Sequence, residues 1–261
     1  MDFELRGKRA LVTGSTAGIG FAIAKALAAE GASVVLNGRT AARVDQAVAA
    51  LASVGQVSGI AADLGTRAGC DALLGALPSV DILVNNLGIF EAKPFAQISD
   101  EDWLRFFEVN VLSGVRLSRA CLPAMLERNW GRILFVSSES ALQIPVEMIQ
   151  YGMTKTAQLA LARGLAEMTV GSAVTVNSIL PGPTKSEGVA DFVSGLAAQQ
   201  GKNPSEVERD FFQHARPSSL LQRFETPDEI AALAAFVASP RASGINGAAL
   251  RVDGGVVRAI G

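Results

Sequence analysis

Short apolar runs alternate with longer segments of helical periodicity along the whole chain. Runs rich in Val, Ile and Leu predict strands at 9–13, 33–37, 57–61, 82–85, 132–137, 174–179 and 248–252. Most of these runs are continuously apolar, which is typical of strands buried on both faces of a parallel sheet. The alternation therefore predicts parallel strands that are connected by helices.

The helical periodicity predicts helices at 18–30, 40–53, 66–76, 100–128, 150–170 and 227–238. Three helix starts pair a capping side chain with an acid at the third helical position: Ser99 with Asp102, Asn203 with Glu206 and Thr226 with Glu229. Because crossover connections are right-handed, these elements predict an α/β fold: a single doubly wound, Rossmann-type parallel sheet of about seven strands with helices on both faces. No linker or repeat divides the chain, so residues 1–261 are predicted to form one domain.

The segment 186–224 breaks this alternation. It separates the sixth strand from the next helix, and its pattern predicts two short helices. Loops of this length in a compact domain are usually functional, so the segment is predicted to be a substrate lid. A surface excursion without a function is the alternative.

Composition and charge narrow the classes of function. Half of the residues (49%) are apolar and the net charge is −2, so no basic field attracts nucleic acid or an anionic membrane. No stretch approaches the roughly 20 apolar residues of a membrane span, and the start of the chain lacks the order of a signal peptide. Two cysteines without CxxC spacing and a single histidine argue against a disulfide framework or a metal centre. We expect a soluble, cytoplasmic protein.

A glycine-rich segment follows the first predicted strand and opens the first predicted helix. It reads Thr-Gly-Ser-Thr-Ala-Gly-Ile-Gly over residues 13–20. Its glycines permit a tight turn and close backbone approach to a pyrophosphate, and the helix start supplies free N–H groups. We expect a phosphate cradle formed by Gly14, Ser15, Thr16, Gly18, Ile19 and Gly20. A plain tight turn is the alternative.

A tyrosine and a lysine lie four residues apart on a predicted helix, and a serine ends the fifth predicted strand. The residues are Tyr151, Lys155 and Ser138. A neighbouring ammonium favours a phenolate, so the spacing predicts a Tyr151 pKa well below that of free tyrosine and a role in acid–base catalysis. Ser138 is placed to hydrogen-bond a substrate oxygen. The alternative is an ordinary surface pair, although Tyr151 is the only tyrosine of the chain.

Further short motifs follow in order: Asn85-Asn86-Leu87-Gly88, Asn110, Asn177, Pro181-Gly182 and Val252-Asp253-Gly254-Gly255. Together with the glycine segment, Ser138 and Tyr151-x-x-x-Lys155, they resemble the ordered motifs of the short-chain dehydrogenase/reductase family. The resemblance covers essentially the whole chain. It implies hydride transfer between a nicotinamide cofactor and a carbonyl or alcohol, with Tyr151 as the acid–base.

The resemblance also implies roles for single residues. Asn110 would kink its helix, so that its carbonyl holds a water that links Lys155 to solvent. Lys155 would also bind the nicotinamide ribose. Asp63 would meet the adenine edge, Asn86 and Gly88 would line the adenosine half, and Thr184 and Ser186 would hold the carboxamide. The remaining implied cofactor contacts are Tyr151, Leu64, Pro181 and Gly182. A homo-oligomer, a tetramer or a dimer, is implied as well.

The end of the second predicted strand bears on the choice of nicotinamide cofactor. NAD-specific sites carry an acid there that binds the ribose 2′-hydroxyl, whereas this chain has Gly38 followed by Arg39. A guanidinium pairs with a 2′-phosphate, so NADP is predicted and NAD is less favoured. Arg39 as a solvated turn residue is the alternative.

The substrate pocket is predicted from 88–95, 139–149 and 185–221. The apolar candidates there are Phe90, Phe95, Ile144, Pro145, Met148, Phe192, Leu196, Phe211 and Phe212, and the polar ones are Gln143, Glu91 and Lys185. They suggest a small, largely apolar carbonyl compound or alcohol. A second enzyme hypothesis is a 3-oxoacyl-[acyl-carrier-protein] reductase, docked through Arg128 and Arg132. A hypothesis of another class is a catalytically silent, cofactor-sensing binding protein.

Overall fold

The computed structural model describes residues 2–77, 79–187, 189, 194–195, 197 and 201–260. Its strands are β1 (Arg9–Val12), β2 (Ser33–Gly38), β3 (Val57–Ala61), β4 (Ile82–Asn85), β5 (Gly131–Val136), β6 (Val174–Pro181) and β7 (Ala249–Val252). They form one sheet of order β3-β2-β1-β4-β5-β6-β7. Every neighbouring pair is parallel, so all seven carboxyl ends lie at one edge. The predicted fold class is confirmed.

The helices of the described residues are α1 (Gly18–Ala29), α2 (Ala41–Leu51), α3 (Arg67–Ala76), α4 (Asp100–Phe107), α5 (Ser113–Glu127), α6 (Ile149–Glu167), α7 (Pro204–Asp210) and α8 (Pro227–Val237). Two buried clusters divide the core between the faces of the sheet. Side chains of α1, α2 and α8 contribute to one cluster, and those of α3, α5 and α6 contribute to the other. The sheet is therefore covered on both faces.

The predicted helix at 100–128 is interrupted by a wide turn. Between α4 and α5 the chain forms a π-helical segment, Glu108–Leu112, which contains the buried Asn110. Such segments occur mostly as single turns at functional sites. The kink that the family resemblance implies at Asn110 therefore takes the form of a π turn.

The three predicted capping boxes are confirmed. In each, the capping side chain accepts a hydrogen bond from the third helical N–H, and the acid accepts one from the capping residue. The last two frame the segment after β6, where the described helical parts are α7 and the π-helical turn Phe211–Ala215. The predicted wall residues Phe192 and Leu196 lie outside the described residues.

Two further features of the described residues bear on function. None of their helices combines the length and the hydropathy that crossing a membrane requires. No group of three or more His, Cys, Asp or Glu side chains among them has an arrangement suited to a metal ion.

Candidate active site

A cavity of about 1200 Å³ opens at the carboxyl edge of the sheet. Its wall includes the start of α1 on one side and Ser138, Tyr151 and Lys155 on the other. Strand order reverses between β1 and β4, and ligands of open α/β sheets bind at such a switch point. The sequence-predicted phosphate cradle and reacting groups therefore share one cavity.

The start of α1 is suited to an anionic group. Gly14 and Gly18 have φ of +59° and +58°, which side chains other than glycine rarely adopt. No side chain of the described residues caps the first turn of α1, whereas Thr66, Ser99, Asn203 and Thr226 cap α3, α4, α7 and α8. The first N–H groups of α1 thus face the cavity with the positive end of the helix dipole. This end of the cavity fits the pyrophosphate of a dinucleotide.

Close packing holds the glycine turn in place. A Cβ atom on Gly20 would lie 2.4 Å from Asn86 Nδ2 and 2.6 Å from the Gly14 carbonyl oxygen. Asn86 Nδ2 donates to the carbonyls of Thr13 and Gly14 at 2.9 and 3.0 Å, and the Asn86 N–H donates to Thr13 Oγ1 at 2.9 Å. Asn86 lines the cavity and also fixes the shape of the glycine turn.

Two predicted cradle residues direct their side chains elsewhere. Ser15 is fully buried, and its Oγ donates to the Val12 carbonyl at 2.7 Å and accepts from the Asn37 N–H at 3.0 Å. Thr16 packs over Gly38, where a Cβ atom would lie 2.5 Å from Thr16 Cγ2. Their side chains support the loop, and the start of α1 provides the wall of the cavity.

Asn37 was not among the predicted site residues. It is buried at the end of β2, and its Oδ1 accepts from the Gly14 N–H at 3.3 Å while Nδ2 donates to the Ile60 carbonyl at 3.2 Å and to the Ala62 carbonyl at 3.1 Å. It ties the glycine turn to the neighbouring strands. A polar residue inside an apolar strand was the available signal.

Of the predicted adenosine contacts, Asn86 and Gly88 line the cavity, whereas the adenine contacts Asp63 and Leu64 lie outside its wall. Asp63 is exposed and accepts from the Gly65 N–H at 3.1 Å through Oδ1, while Leu64 is buried. Arg39 is exposed directly after β2. Arg43, in the first turn of α2, pairs with Glu187 at 3.0 Å. Two guanidinium groups thus lie near the end of β2.

The loop after β6 forms the opposite wall. Pro181, Gly182, Thr184 and Ser186 all line the cavity, as predicted, and a Cβ atom on Gly18 would lie 3.2 Å from Ser186 Cβ. Beneath the loop, the buried Glu225 accepts from the Gly182 N–H at 3.0 Å. Burial raises the pKa of Glu225 to about 7, although the Gly182 hydrogen bond favours its charged form. Sequence patterns did not reveal this support.

The three predicted reacting groups converge. Lys155 is buried, and its Nζ lies 5.5 Å from the centre of the Tyr151 ring and donates to the Val136 carbonyl at 2.9 Å. Ser138, just after β5, faces the same cavity and accepts from the Ser140 N–H at 3.1 Å. The i,i+4 spacing on α6 therefore places the phenol and the ammonium side by side, as predicted.

The predicted direction of the Tyr151 pKa is wrong. Burial and the charge of Glu139 raise the pKa of Tyr151 above its usual value, against a hydrogen bond with Ser138 and the charge of Arg216. Burial also lowers the pKa of Lys155 to about 8, and the Glu139 carboxylate opposes this change. The prediction counted the neighbouring ammonium, but neither burial nor Glu139 is evident from the spacing of Tyr151 and Lys155.

The link between Lys155 and Asn110 is made by a side chain. Lys155 Nζ donates to Gln158 Oε1 at 3.3 Å, and Gln158 Nε2 donates to the Asn110 carbonyl at 2.6 Å. The Asn110 side chain also donates to Thr154 Oγ1 at 2.9 Å. The described connection between the two residues is the amide of Gln158. Its position three residues after Lys155, on the same face of α6, was the signal.

The predicted apolar wall is present only in part. Phe90, Glu91, Met148 and Phe211 line the cavity, and Phe212 is buried in a small core cluster beneath it. Charged side chains that were not predicted join the wall, among them Glu139, Glu147 and Arg216. The Arg216 guanidinium lies 3.5 Å from Glu139 and 3.2 Å from Glu147. The expectation of a largely apolar substrate stays a prediction.

The two arginines proposed for carrier docking hydrogen-bond to backbone carbonyls within the fold. Arg132 is buried, and its Nη1 donates to the Gly131 and Ala173 carbonyls, each at 2.8 Å. Arg128 donates to the Val80 carbonyl at 2.9 Å. Both lie near the amino end of β5, away from the carboxyl edge with the cavity. They therefore do not support docking of an acidic carrier at this site.

A dinucleotide cradle and a Tyr–Lys pair in one cavity of a parallel sheet define an oxidoreductase that acts on alcohols or carbonyls. A family model described as enoyl-(acyl carrier protein) reductase matches residues 14–257. The chain is 48% identical to the uncharacterized oxidoreductase YvaG of Bacillus subtilis, over all of both chains. It is 36% identical to the D-beta-hydroxybutyrate dehydrogenase of Cupriavidus necator, over 97% of this chain and 99% of that protein.

A solved structure agrees with these relatives. The L-sorbose reductase of Gluconobacter frateurii, complexed with NADPH and L-sorbose, aligns over 100% of both chains with a TM-score of 0.94 and 31% identity. The chain belongs to the short-chain dehydrogenase/reductase family.

Proposed function

We propose that the protein is an NADP(H)-dependent reductase of a small carbonyl compound, with Tyr151 as the proton donor. The observation that carries the proposal is the shared cavity of the uncapped α1 terminus and the group formed by Tyr151, Lys155 and Ser138. One end of the cavity is thus suited to the cofactor that carries the hydride, and the other end is suited to the carbonyl compound that accepts it.

A nicotinamide nucleotide held at the start of α1 and by the loop after β6 would supply a hydride to the carbonyl carbon. Tyr151 then gives its proton to the carbonyl oxygen, and Ser138 hydrogen-bonds the same oxygen as charge develops on it. The Lys155 ammonium stabilises the phenolate that remains. Because burial and Glu139 raise the pKa of Tyr151, the phenol stays protonated at neutral pH. A protonated phenol is the form that can donate a proton to the carbonyl oxygen.

The preference for NADP rests on the end of β2. Gly38 leaves no carboxylate there to repel a 2′-phosphate, and Arg39 is exposed beside it. The structurally similar L-sorbose reductase is complexed with NADPH. We expect Arg39→Ala to weaken NADPH binding by about 1.5–3 kcal/mol and to leave NADH binding unchanged. Arg67→Ala, which removes an exposed arginine side chain at the start of α3, is the control. An equal loss of affinity for both cofactors contradicts the assignment.

Replacing Tyr151 with Phe tests the chemistry. The ring stays while the proton donor is lost, so NADPH binding is retained and turnover falls by about 10²–10⁴-fold. Reduction is followed by the loss of NADPH absorbance over a panel of aldehydes and ketones. Substantial activity in Tyr151→Phe contradicts the proposal. Tight NADPH binding without turnover of any compound by the unaltered protein supports the cofactor-sensing hypothesis instead.

The description of the matching family model favours a second candidate, a reductase of acyl thioesters on a carrier protein. The buried Arg132 and the engaged Arg128 do not support it. Comparing a 3-oxoacyl thioester on its carrier with the same acyl group on a short thiol separates the candidates. Strong preference for the carrier-bound form supports the second candidate.

We also propose a homo-oligomer, most simply a tetramer. The apolar residues Leu122, Leu161 and Leu165 pack against the core, so they do not provide an interface. Exposed apolar side chains lie instead on α4, where Leu104 and Phe107 are 70% and 38% exposed. A light-scattering mass of one chain at micromolar concentration contradicts the proposal.

A further inference from the structure

Three charged side chains meet beside the reacting hydroxyls. Glu139 follows Ser138 directly and accepts a hydrogen bond from the Ser138 hydroxyl through Oε2. Arg216, from the segment after β6, lies 3.5 Å from Glu139 and 3.2 Å from Glu147. The side chains of Arg216 and Glu139 are only 12% and 6% exposed, so both charges are largely removed from bulk water.

This group, called here the charged subsite (Glu139, Glu147 and Arg216), is net negative. Two carboxylates face one guanidinium. Among the other described residues of the cavity wall, Glu91 and Glu187 are paired with arginines, and Asp210 is paired with Lys202. Lys155 supplies the remaining cation, and Nδ1 of the single His214 lies 2.9 Å from the Asp210 carbonyl oxygen, which accepts its hydrogen bond. A negatively charged substrate would therefore be repelled at this end of the cavity.

The buried charges of Glu139 and Arg216 also disfavour an apolar ligand. Polar groups that lose water without gaining hydrogen bonds cost free energy, and the cost is larger for charged groups. A carboxylate accepts several hydrogen bonds, and the described hydrogen bonds to the Glu139 carboxylate come from Ser138 and Arg216. Hydroxyl groups fit this subsite because they donate to the carboxylates and accept from the guanidinium without adding charge.

We propose, on the basis of the proposed function, that the charged subsite recognises a neutral polyhydroxylated carbonyl compound and that Glu139 binds the hydroxyl next to its carbonyl. Ser138 fixes this register, because its Oγ is placed for the carbonyl oxygen and contacts Glu139 directly. The exposed ring of Phe90, 6.4 Å from the Tyr151 ring between centroids, offers a flat surface to the C–H face of such a compound.

Substrate recognition and activation are coupled in this arrangement. Without a competing donor, the Ser138 hydroxyl points its proton at Glu139. A substrate hydroxyl that donates to Glu139 takes over this acceptor and leaves the Ser138 proton free for the carbonyl oxygen. Compounds that lack the neighbouring hydroxyl leave Ser138 engaged. The charge of Glu139 also acts on Tyr151, because it raises the pKa of the phenol.

Three carbonyl compounds of equal chain length test the proposal with NADPH as the reductant: a neutral ketohexose, 2-hexanone and a keto-sugar acid. The unaltered protein is expected to show the highest kcat/KM for the ketohexose. Glu139→Gln should lower this value by about 10- to 100-fold, because a charged hydrogen bond is lost, and should improve the acid relative to the ketohexose. Glu167→Gln, at the exposed end of α6, is the control.

Melting temperature and NADPH affinity show whether Glu139→Gln folds. If Glu139→Gln does not fold, the substrate order of the unaltered protein and of Arg216→Gln decides. The proposal is overturned if 2-hexanone or the acid matches the ketohexose, or if the variant lowers all three equally. A failure of the proposed function looks different, since the unaltered protein then reduces no carbonyl compound, a small 1,2-diketone included, and both proposals fall.

Discussion

The two ends of the cavity are built in different ways. The nucleotide end is made of backbone and of missing side chains, with Gly14, Gly18 and Gly20 closely packed and α1 uncapped. The substrate end is made of side-chain charges that arrive from separate parts of the chain. Shape therefore decides what binds at the first end, whereas charge and hydrogen bonding decide at the second.

The difference extends to how the polar groups are satisfied. At the nucleotide end, Asn86 hydrogen-bonds to Thr13 and to the Gly14 carbonyl, so the polar groups of the loop are satisfied within the protein. At the substrate end, Ser138, Glu139 and Arg216 bond to one another, and a ligand must replace some of these contacts. Small changes of shape should therefore damage the first end, and isosteric changes of charge should retune the second.

Gly20→Ala breaks the nucleotide end and carries the largest expected effect. The added Cβ atom would lie 2.4 Å from Asn86 Nδ2 and 2.6 Å from the Gly14 carbonyl, so the loop must move. We expect NADPH binding to weaken about a hundredfold, equivalent to about 3 kcal/mol, as measured by calorimetry.

Gly75→Ala is the matched control, because nothing lies within 4 Å of its new Cβ atom in α3. It should leave binding unchanged and raise stability by about 0.5–1 kcal/mol. Unchanged NADPH affinity in Gly20→Ala would show that the loop is not shaped by packing.

Glu225→Gln tests the support beneath the loop after β6. Burial raises the Glu225 pKa from 4.5 to about 7, so the folded protein holds this proton more tightly than the unfolded chain. The stability of the unaltered protein is then greatest below pH 4.5 as far as this group is concerned, and it declines as the pH rises through 7. A glutamine keeps an acceptor for the Gly182 N–H without the charge.

We expect Glu225→Gln to be more stable than the unaltered protein by roughly 1–3 kcal/mol at pH 9 and nearly equal to it at pH 5, by urea denaturation. Glu229→Gln is a control of opposite sign, because Arg223 lowers the Glu229 pKa to about 2 and this variant should be less stable at neutral pH. A Glu225→Gln variant that is less stable at pH 9 would refute the assignment.

Gln158→Leu tests the hydrogen bond between Gln158 and the Lys155 ammonium. The Gln158 carbonyl accepts from Lys155 Nζ and so stabilises the ammonium. Its loss should lower the Lys155 pKa further below about 8 and reduce kcat about tenfold with little change in KM. The alkaline limb of the kcat–pH profile should move to lower pH. A purely structural role would lower kcat and leave the limb in place.

The titration of Tyr151 is the smallest and most local test of the substrate end. Because Tyr151 is the only tyrosine, its ultraviolet titration reports one phenol. The unaltered protein should ionise above the usual pH, and Glu139→Gln should shift the titration downward because a repelling carboxylate is removed. If the Tyr151 titration does not change in Glu139→Gln, the charge of Glu139 does not act on the phenol.

The same division explains what could be predicted from the sequence. Strands and helices were predicted to within three residues, apart from the helix that the π turn divides, because apolar periodicity reports burial directly. The glycine turn and the Tyr151–Lys155 pair were predicted because each is local in the sequence: the first is a single strand–helix connection and the second lies within one turn of α6. Asn37, Gln158 and Glu225 act through tertiary contacts, and Arg216 meets Glu139 from 77 residues away. No local pattern encodes those meetings.

The π turn between α4 and α5 makes the number of residues there critical. Removing one residue from Glu108–Leu112 would restore ordinary helical bonding and change the rotation of α5 relative to α4. Ser118 of α5, which accepts from Asn85 Nδ2 at 3.2 Å, would then move relative to the end of β4. We expect insertions and deletions among natural relatives to spare this turn.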